Sequence, residues 1–180
     1  MKIYVASSWR NKYQPGVVSF LRNLEHKVYD FRYPKIGNNG FHWSEIYSNW
    51  TEWTTKQYIE GLKNPLAEEG FKLDIDNLNS CDACVLVLPC GRSSHLELGY
   101  AIGQDKRTVI YAPETHTTPE LMYKMTSIVD TLPGIQYSLF DGHSMGRFLS
   151  CGACGDVVGC SYWKSSSGNQ FDSRKYETPT

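Results

Sequence analysis

The sequence has no apolar run that approaches the roughly 20 residues of a membrane-spanning helix. It also has little excess charge of either sign, because 18 Lys and Arg residues offset 19 Asp and Glu residues and leave a formal net charge of -1. A chain without a basic surplus offers no electrostatic reason to bind a nucleic acid polymer or a membrane. These absences favour a small neutral or singly charged ligand.

The sequence also lacks the marks of a secreted protein. Its first residues, MKIYVAS, lead directly into a predicted strand rather than through the basic and apolar regions of a signal peptide. Three of its six cysteines, Cys81, Cys84 and Cys90, lie around a predicted core strand, which is a poor place for a disulfide framework. We therefore expect reduced thiols and a cytoplasmic protein.

The predicted elements alternate in the manner of an α/β protein. Apolar runs predict strands at residues 2–6, 26–30, 83–88 and 107–112, with a further strand or its lead-in at 129–132. Helices are predicted from Pro15, from a cap at Thr54 or Thr55, from Pro65 to Ser80, and after residue 94. This order is that of a doubly wound parallel sheet.

The character of the chain changes near its C-terminal quarter. Residues 133–180 hold seven of the 15 glycines and three of the six cysteines. We therefore expect an α/β domain over residues 1–132 and an irregular extension over 133–180, either a small metal-binding element or a mobile tail.

The stretch from Cys81 to Ala101 is the best candidate for the centre of a site. A buried strand ends at Pro89-Cys90-Gly91, and a polar turn leads into a helix that Ser93 or Ser94 is expected to cap. Glu97 would then lie in the first helical turn, near the edge of the sheet where ligands of such folds bind. A carboxylate there either attacks an electrophilic sugar carbon or merely favours the helix dipole.

A second carboxylate, Asp74, lies on the helix that precedes this strand. In retaining glycosyl transfer one carboxylate attacks the anomeric carbon and another group protonates the leaving group. Glu97 and Asp74 could fill these two roles.

Several motifs resemble the nucleoside 2-deoxyribosyltransferase family, which includes nucleoside 5'-monophosphate N-glycosidases. They are K-I-Y-V-A from Lys2, D-A-C-V-L-V-L-P from Asp82 with an aspartate eight residues earlier, and H-L-E-L-G-Y-A from His95. The resemblance covers roughly residues 1 to 125. It implies a flavodoxin-like fold, a small nucleoside or nucleotide substrate, no cofactor, and a homodimer or larger homo-oligomer with shared sites.

The resemblance also implies roles for individual residues. Glu97 matches the nucleophile that forms a glycosyl-enzyme, Asp74 the aspartate that handles proton transfer at the base, and Tyr4 the tyrosine beside the nucleophile. Leu121 and Met122 match a pair that walls the base or sugar. Together these residues imply cleavage of an N-glycosidic bond, resolved by water or by another nucleobase.

One position departs from the transferases, since Gly91 stands where they carry an aspartate, which argues against base exchange. Around it the sequence offers hydroxyls, helix N-terminal amides and arginines, which together suit a 5'-phosphate. These candidates are Ser7, Ser8, Arg10, Arg92, Ser93 and Ser94. The alternative is that the arginines are solvated charges and the serines only caps.

Aromatic residues and a histidine complete the predicted site. Phe41, His42 and Trp43 could stack on a base, or could simply pack an irregular loop onto the core. His95 could contact phosphate or base, although a capping or packing role fits it as well.

The C-terminal cysteines suggest a separate hypothesis. Cys151 and Cys154 form a knuckle-like pair, and Cys160 and His143 could complete a structural zinc site. Half of the usual paired pattern is missing, so free thiols are the alternative.

Two further functions remain open from the sequence. TIR domains share the flavodoxin-like layout and use a glutamate to split NAD, and the turn S-S-H-L-E-L is loosely similar to theirs, without the usual Trp-Cys. A non-catalytic nucleotide-binding or sensing module would keep the pocket and lack turnover.

Overall fold

The computed structural model describes residues 1–35, 37–114 and 118–140. Within them, five parallel strands form one sheet in the order β2-β1-β3-β4-β5. The strands are β1 (Lys2–Ala6), β2 (Lys27–Asp30), β3 (Ala83–Val87), β4 (Arg107–Tyr111) and β5 (Ser127–Val129). This is the flavodoxin-like strand order, so the predicted fold class is confirmed.

The described residues form five α-helices, which are α1 (Gln14–Asn23), α2 (Thr55–Gly61), α3 (Pro65–Ser80), α4 (Arg92–Gly103) and α5 (Leu132–Phe140). Local sequence signals predict where α2 and α3 begin. Thr54 and Gln57 form a capping box at the start of α2, and the Asn64 side chain accepts a hydrogen bond from the Leu66 amide at the start of α3. Pro65 follows that cap at the first helical position, where its missing N–H costs nothing.

The two faces of the sheet pack against different helices. Because side chains alternate along a strand, Ile3 and Val5 of β1 face a layer that includes α1 and α5. Tyr4 and Ala6 face the other way, into the core cluster that contains Leu98 of α4. The alternation therefore directs Tyr4 toward the layer that carries Asp74 and Glu97.

Helix α4 begins earlier than the sequence suggested. Gly91 is its N-cap, in an extended conformation with φ -88° and ψ 179°, and no side chain caps it. The prediction of a Ser93 or Ser94 cap is therefore wrong, and Glu97 lies in the second turn rather than the first. Since the dipole effect fades within the first turn, the helix-dipole explanation of Glu97 loses its basis.

The α/β core continues past residue 132. Ile135 and Leu139 of α5 are almost fully buried and belong to the same core cluster as β4. The predicted division of the chain stays a prediction, because most of the expected extension lies outside the described residues. His143, Cys151, Cys154 and Cys160, the proposed zinc ligands, also lie outside them.

Three of the cysteines can be assigned. Cys81, Cys84 and Cys90 are free, as predicted for thiols around the central strand. In the described parts of the chain, no cluster of His, Cys, Asp or Glu is arranged to hold a metal ion. Among the same residues, no helix combines the length and the apolar character needed to cross a bilayer.

Candidate active site

Two half-buried carboxyl groups and a buried tyrosine meet between β1, α3 and α4. Asp74 comes from α3, Glu97 from α4 and Tyr4 from β1. They are close enough for each carboxyl group to raise the pKa of Tyr4, and for the charge of Asp74 to raise the pKa of Glu97. The fold thus brings together the three residues that the sequence nominated as catalytic.

Glu97 is held in a form that resists ionisation. Burial raises its pKa most, the neighbouring Asp74 raises it further, and hydrogen bonding by Tyr4 lowers it, with a net pKa of about 8. Burial also raises the pKa of Asp74, although the hydrogen bond from Tyr29 opposes that shift. Two carboxyl groups with raised pKa values in one site are typical of acid–base or nucleophilic chemistry.

Tyr4 is fully buried, and its hydroxyl lies beside Glu97. Burial and the two carboxyl groups hold its pKa far above the ordinary tyrosine value, so the hydroxyl stays protonated. That hydroxyl has no partner of strict hydrogen-bond geometry among the described residues. A buried donor in this state is available to the carboxylate or to a bound ligand.

Tyr29 is a member of the site that sequence reasoning missed. It lies opposite Tyr4 in the register of β1 and β2, and the two rings stack with centroids 5.2 Å apart. Its hydroxyl donates a hydrogen bond to Asp74 Oδ1 at 2.7 Å. Strand alternation was the available signal, since paired residues of adjacent strands point to the same face.

The loop after β1 is tied to the loop after β3 by buried hydrogen bonds. Ser7 Oγ donates to the Val87 carbonyl at 2.9 Å, and Ser94 Oγ donates to the Ser7 carbonyl at 2.8 Å. Asn11, which the sequence analysis did not select, donates to the carbonyls of Val87 and Pro89. The hydroxyl protons of Ser7 and Ser94 are therefore engaged within the protein.

The remaining candidates for an anion site differ in exposure. Arg10, Gly91, Arg92 and Ser93 are exposed. The last three form the start of α4, where the first backbone amides have no side-chain cap. Such amides, with a nearby arginine, are suited to an anion.

Ser8 is half-buried, and its carbonyl is held by a residue that the sequence analysis overlooked. Arg32 Nη2 donates to the carbonyls of Ser8 and Asn11, both at 2.8 Å. This guanidinium braces the loop from the side of β2.

The aromatic residues at 41–43 pack in two different places: His42 lies against Trp9, whereas Phe41 and Trp43 lie against each other. His42 packs against Trp9 with ring centroids 4.1 Å apart and ring planes tilted by 37°, and Trp9 contacts Phe31 in edge-to-face geometry. Phe41 and Trp43 contact each other edge to face. Trp9, which follows Ser7 and Ser8, is a missed aromatic candidate.

Phe41 and Trp43 pack toward the helices. A Cβ at Gly70 of α3 would lie 2.8 Å from Cβ of Phe41, so the missing side chain makes room for that ring. Trp43 contacts Trp53 and Tyr58 in edge-on geometry. These contacts agree with the packing alternative for Phe41 and Trp43.

His95 projects to the opposite flank of α4 from Glu97. Two residues of helix turn through about 200°, and the contacts agree with that separation. His95 Nδ1 lies 2.9 Å from the Gly91 carbonyl and Nε2 lies 2.7 Å from the Tyr123 hydroxyl. Since a carbonyl only accepts, a neutral ring carries its proton on Nδ1 and accepts from Tyr123.

A cleft of about 320 Å³ opens on this flank, and its lining includes Cys90, His95 and Tyr123. Glu97 and Asp74 do not line it within the described residues. Met122 neighbours Tyr123 in a short 3₁₀ helix, Leu121–Met125, and 63% of its surface is exposed. His95 therefore contacts Tyr123 and lines the cleft beside it, and it lies away from the two carboxyl groups.

Comparisons with known proteins agree with the fold. No family model matches the sequence, and no curated protein matches it. A solved 2-deoxyribosyltransferase from the psychrotolerant bacterium Bacillus psychrosaccharolyticus is similar over 76% of this chain and 90% of its own, with 19% identity and a TM-score of 0.53. The CMP N-glycosidase BcmB of Clostridium botulinum matches over 77% of this chain and 98% of its own, with 15% identity and a TM-score of 0.45. The family that the sequence motifs resemble is thus found among the proteins that share this fold.

Proposed function

We propose that this protein is an enzyme that cleaves the N-glycosidic bond of a nucleoside, deoxynucleoside or nucleoside 5'-monophosphate. The observation that carries the proposal is the close pair of half-buried carboxyl groups, Glu97 and Asp74, beside the buried hydroxyl of Tyr4. The fold shared with a 2-deoxyribosyltransferase and the sequence motifs around Glu97 support the same reaction.

In the first step, a Glu97 carboxylate oxygen attacks C1' of the sugar. The bond between C1' and the base nitrogen breaks, its electron pair leaves with the base, and Asp74 transfers a proton to the base. The products are a glycosyl-enzyme, a neutral base and an Asp74 carboxylate. The Tyr4 hydroxyl lies beside Glu97 and is available to donate a hydrogen bond to its carboxylate.

In the second step, water or another base attacks C1' and releases the Glu97 carboxylate. Asp74 accepts the proton of the attacking molecule, so the starting state is restored. Gly91 in place of the transferase aspartate favours water, and therefore hydrolysis. The carboxyl groups and a tyrosine suffice for this sequence of steps, so we propose no cofactor.

The ionisation of the pair fits this scheme. Between its two titration steps the pair holds one proton, and burial favours that proton on Glu97 in the unliganded protein. Positive charge developing at C1' would favour ionised Glu97, and the proton would then move from Glu97 to Asp74. The active form is thus the singly protonated pair.

A 5'-phosphate would bind at the exposed start of α4. The uncapped amides there, with Arg92 and Ser93, present donors and positive charge to an anion. His42 and Trp9, with the 39% exposed Trp9 ring, provide a surface on which a base could stack.

We also propose a homodimer or larger homo-oligomer. Large apolar side chains stand exposed on α4 and the 3₁₀ helix that follows β4, including Leu96 at 76% and Leu121 at 78%. Burying such side chains between copies would remove apolar surface from water. Sedimentation analysis at several protein concentrations checks the association.

The function is tested by base release, followed by chromatography. The panel contains ribonucleosides, deoxyribonucleosides, their 5'-monophosphates and NAD, each with and without an acceptor base. We expect release from monophosphates without acceptor. Release only with acceptor would indicate a transferase, and cleavage of NAD alone, or of nothing by folded protein, would contradict the proposal.

The role of Glu97 is tested in the same assay. Glu97→Gln keeps the size of the side chain and removes the nucleophile, so we expect release to fall by about 10³-fold or more. Glu68→Gln, at an exposed position on α3, is the matched control and should retain activity. Full activity of folded Glu97→Gln protein would exclude the glycosyl-enzyme.

A further inference from the structure

Tyr29 contacts two of the three residues that form the candidate site, Tyr4 and Asp74. It is 7% exposed, its ring stacks on Tyr4 at an interplanar angle of 25°, and its hydroxyl donates to Asp74 Oδ1 at 2.7 Å. The β1–β2 register fixes where the ring lies, because Tyr29 is the strand partner of Tyr4. The pairing of β2 with β1 therefore positions the Tyr29 hydroxyl beside Asp74.

The direction of this hydrogen bond limits how Asp74 can be protonated. Burial is the largest cause of a raised pKa at Tyr29, with Asp74 next, so the phenol remains a donor. In a neutral carboxyl group the carbonyl oxygen is the stronger acceptor, so the donor at Oδ1 favours a proton of Asp74 on Oδ2. Oδ2 is thus the oxygen left to give a proton to a departing base.

We infer that Tyr29 is a positioning residue that orients Asp74 so that Oδ2 protonates the leaving base. The inference rests on the proposed function and adds to it a residue that neither the sequence motifs nor the comparisons assign. Tyr29 acts through Asp74 and does not itself contact the reacting atoms.

The same contact sets the acidity of Asp74. The titratable groups facing Asp74 are Tyr4 from β1, Tyr29 from β2 and Glu97 from α4. The hydrogen bond from Tyr29 stabilises the Asp74 carboxylate and lowers its pKa, against the larger effect of burial. Tyr29→Phe removes that donor, so the pKa of Asp74 should rise.

The first test compares two leaving groups. The base of 2'-deoxyguanosine 5'-monophosphate needs a proton to leave, whereas that of its N7-methyl derivative is already cationic and leaves without one. For Tyr29→Phe we expect kcat to fall at least about 10-fold on the first substrate and less than about 3-fold on the second. KM should change little, and the basic limb of the kcat/KM profile should move to higher pH.

The control is Tyr111→Phe, which removes a hydroxyl from a similarly buried strand tyrosine on β4, 8% exposed, within the other core cluster. It should leave the ratio of the two rates unchanged. An equal loss on both substrates in Tyr29→Phe, without a shifted pH profile, would assign Tyr29 a merely structural role and overturn the inference.

A second test does not depend on turnover. The pKa of Asp74 is measured by carbon NMR on protein labelled at aspartate, with Asp74→Asn to assign the signal. We expect a higher pKa in Tyr29→Phe and a lower one when 3-fluorotyrosine, a stronger donor of nearly the same size, replaces Tyr29. Unchanged values would overturn the inference even if the wild-type protein released no base, a result that would separately defeat the proposed function.

Discussion

At the scale of single residues, the strongest physical signal is the resistance of Glu97 to ionisation. Burial and Asp74 raise its pKa to about 8, so a charge on Glu97 is disfavoured in the folded protein across the neutral range. Folded proteins retain such a group when its chemistry outweighs its effect on stability. Glu97 should therefore affect how the free energy of unfolding depends on pH.

Replacing Glu97 by Gln should stabilise the fold in a pH-dependent way. The folded pKa lies above the ordinary value of 4.5, so the folded state binds more protons between these values, and wild-type stability falls as pH rises from about 4.5 to about 8. Glutamine does not ionise, so the Glu97→Gln protein does not lose this stability as pH rises. We expect its advantage in the free energy of unfolding to grow by at least about 1 kcal/mol from pH 5 to pH 9.

Urea unfolding at the two pH values measures this difference. The Glu68→Gln protein is measured in parallel to account for changes that any surface carboxyl removal brings. A Glu97→Gln advantage of the same size at pH 5 and pH 9 would show that Glu97 ionises normally.

At the scale of elements, the site depends on loops that hold one another. Ser94 of α4 bonds the backbone after β1, and Asn11 bonds the backbone after β3. The segment after β2 joins them through the contact of Phe31 and His42 with Trp9. The edge of the sheet is thus shaped by contacts between loops that are far apart in sequence.

Gly40 provides a test of this arrangement. It has φ +75°, and a Cβ there would collide with the Phe31 carbonyl and lie 2.8 Å from ring atoms of Trp9. Gly37 has a similar φ of +78° but open space around it. In both Ala variants the left-handed backbone should lower the free energy of unfolding by about 1–2 kcal/mol. The collision at Gly40 should lower it by at least about 1 kcal/mol more in Gly40→Ala than in Gly37→Ala.

Thermal and urea unfolding of the two variants give the comparison. Because Gly40 lies against Trp9, we also expect Gly40→Ala to reduce base release more than Gly37→Ala does. Equal stability of the two variants would indicate that Trp9 is not held against this turn.

At the scale of the whole molecule, α5 closes one face of the sheet. Ile135 is fully buried and Leu139 is 1% exposed, and both pack in the cluster that includes Val109 of β4. Helix α5 therefore belongs to the α/β core, although it begins near the residue at which composition changes. Composition reports glycine and cysteine content, whereas the core is defined by which apolar side chains are covered.

Truncating Ile135 tests this placement. Ile135→Ala should lower the free energy of unfolding by about 2–5 kcal/mol, because it removes buried volume from the core. Tyr137→Ala, on the same helix at a position 66% exposed, should cost less than about 1 kcal/mol. Similar small losses in both variants, measured by urea unfolding, would place α5 outside the cooperative core.

The sequence by itself determined the α/β class, most helix starts and the candidate carboxylates. These follow from local features: apolar runs, the cap at Thr54, the proline at position 65, and motifs in which Asp74 and Glu97 stand at recognisable positions. The start of α4 was misjudged because Ser93 and Ser94 resemble caps. Whether a serine caps depends on where the chain turns, and Ser94 bonds the Ser7 carbonyl instead.

The tertiary structure decided which groups surround the carboxylates. The bond from Tyr29 to Asp74 joins residues 45 positions apart, and that from Ser94 to Ser7 joins residues 87 apart. Such contacts depend on strand order and register, and no local pattern encodes either one directly. Periodicity can say that Tyr29 faces a given side of its strand, but only the pairing of β2 with β1 brings it beside Tyr4 and aims its hydroxyl at Asp74.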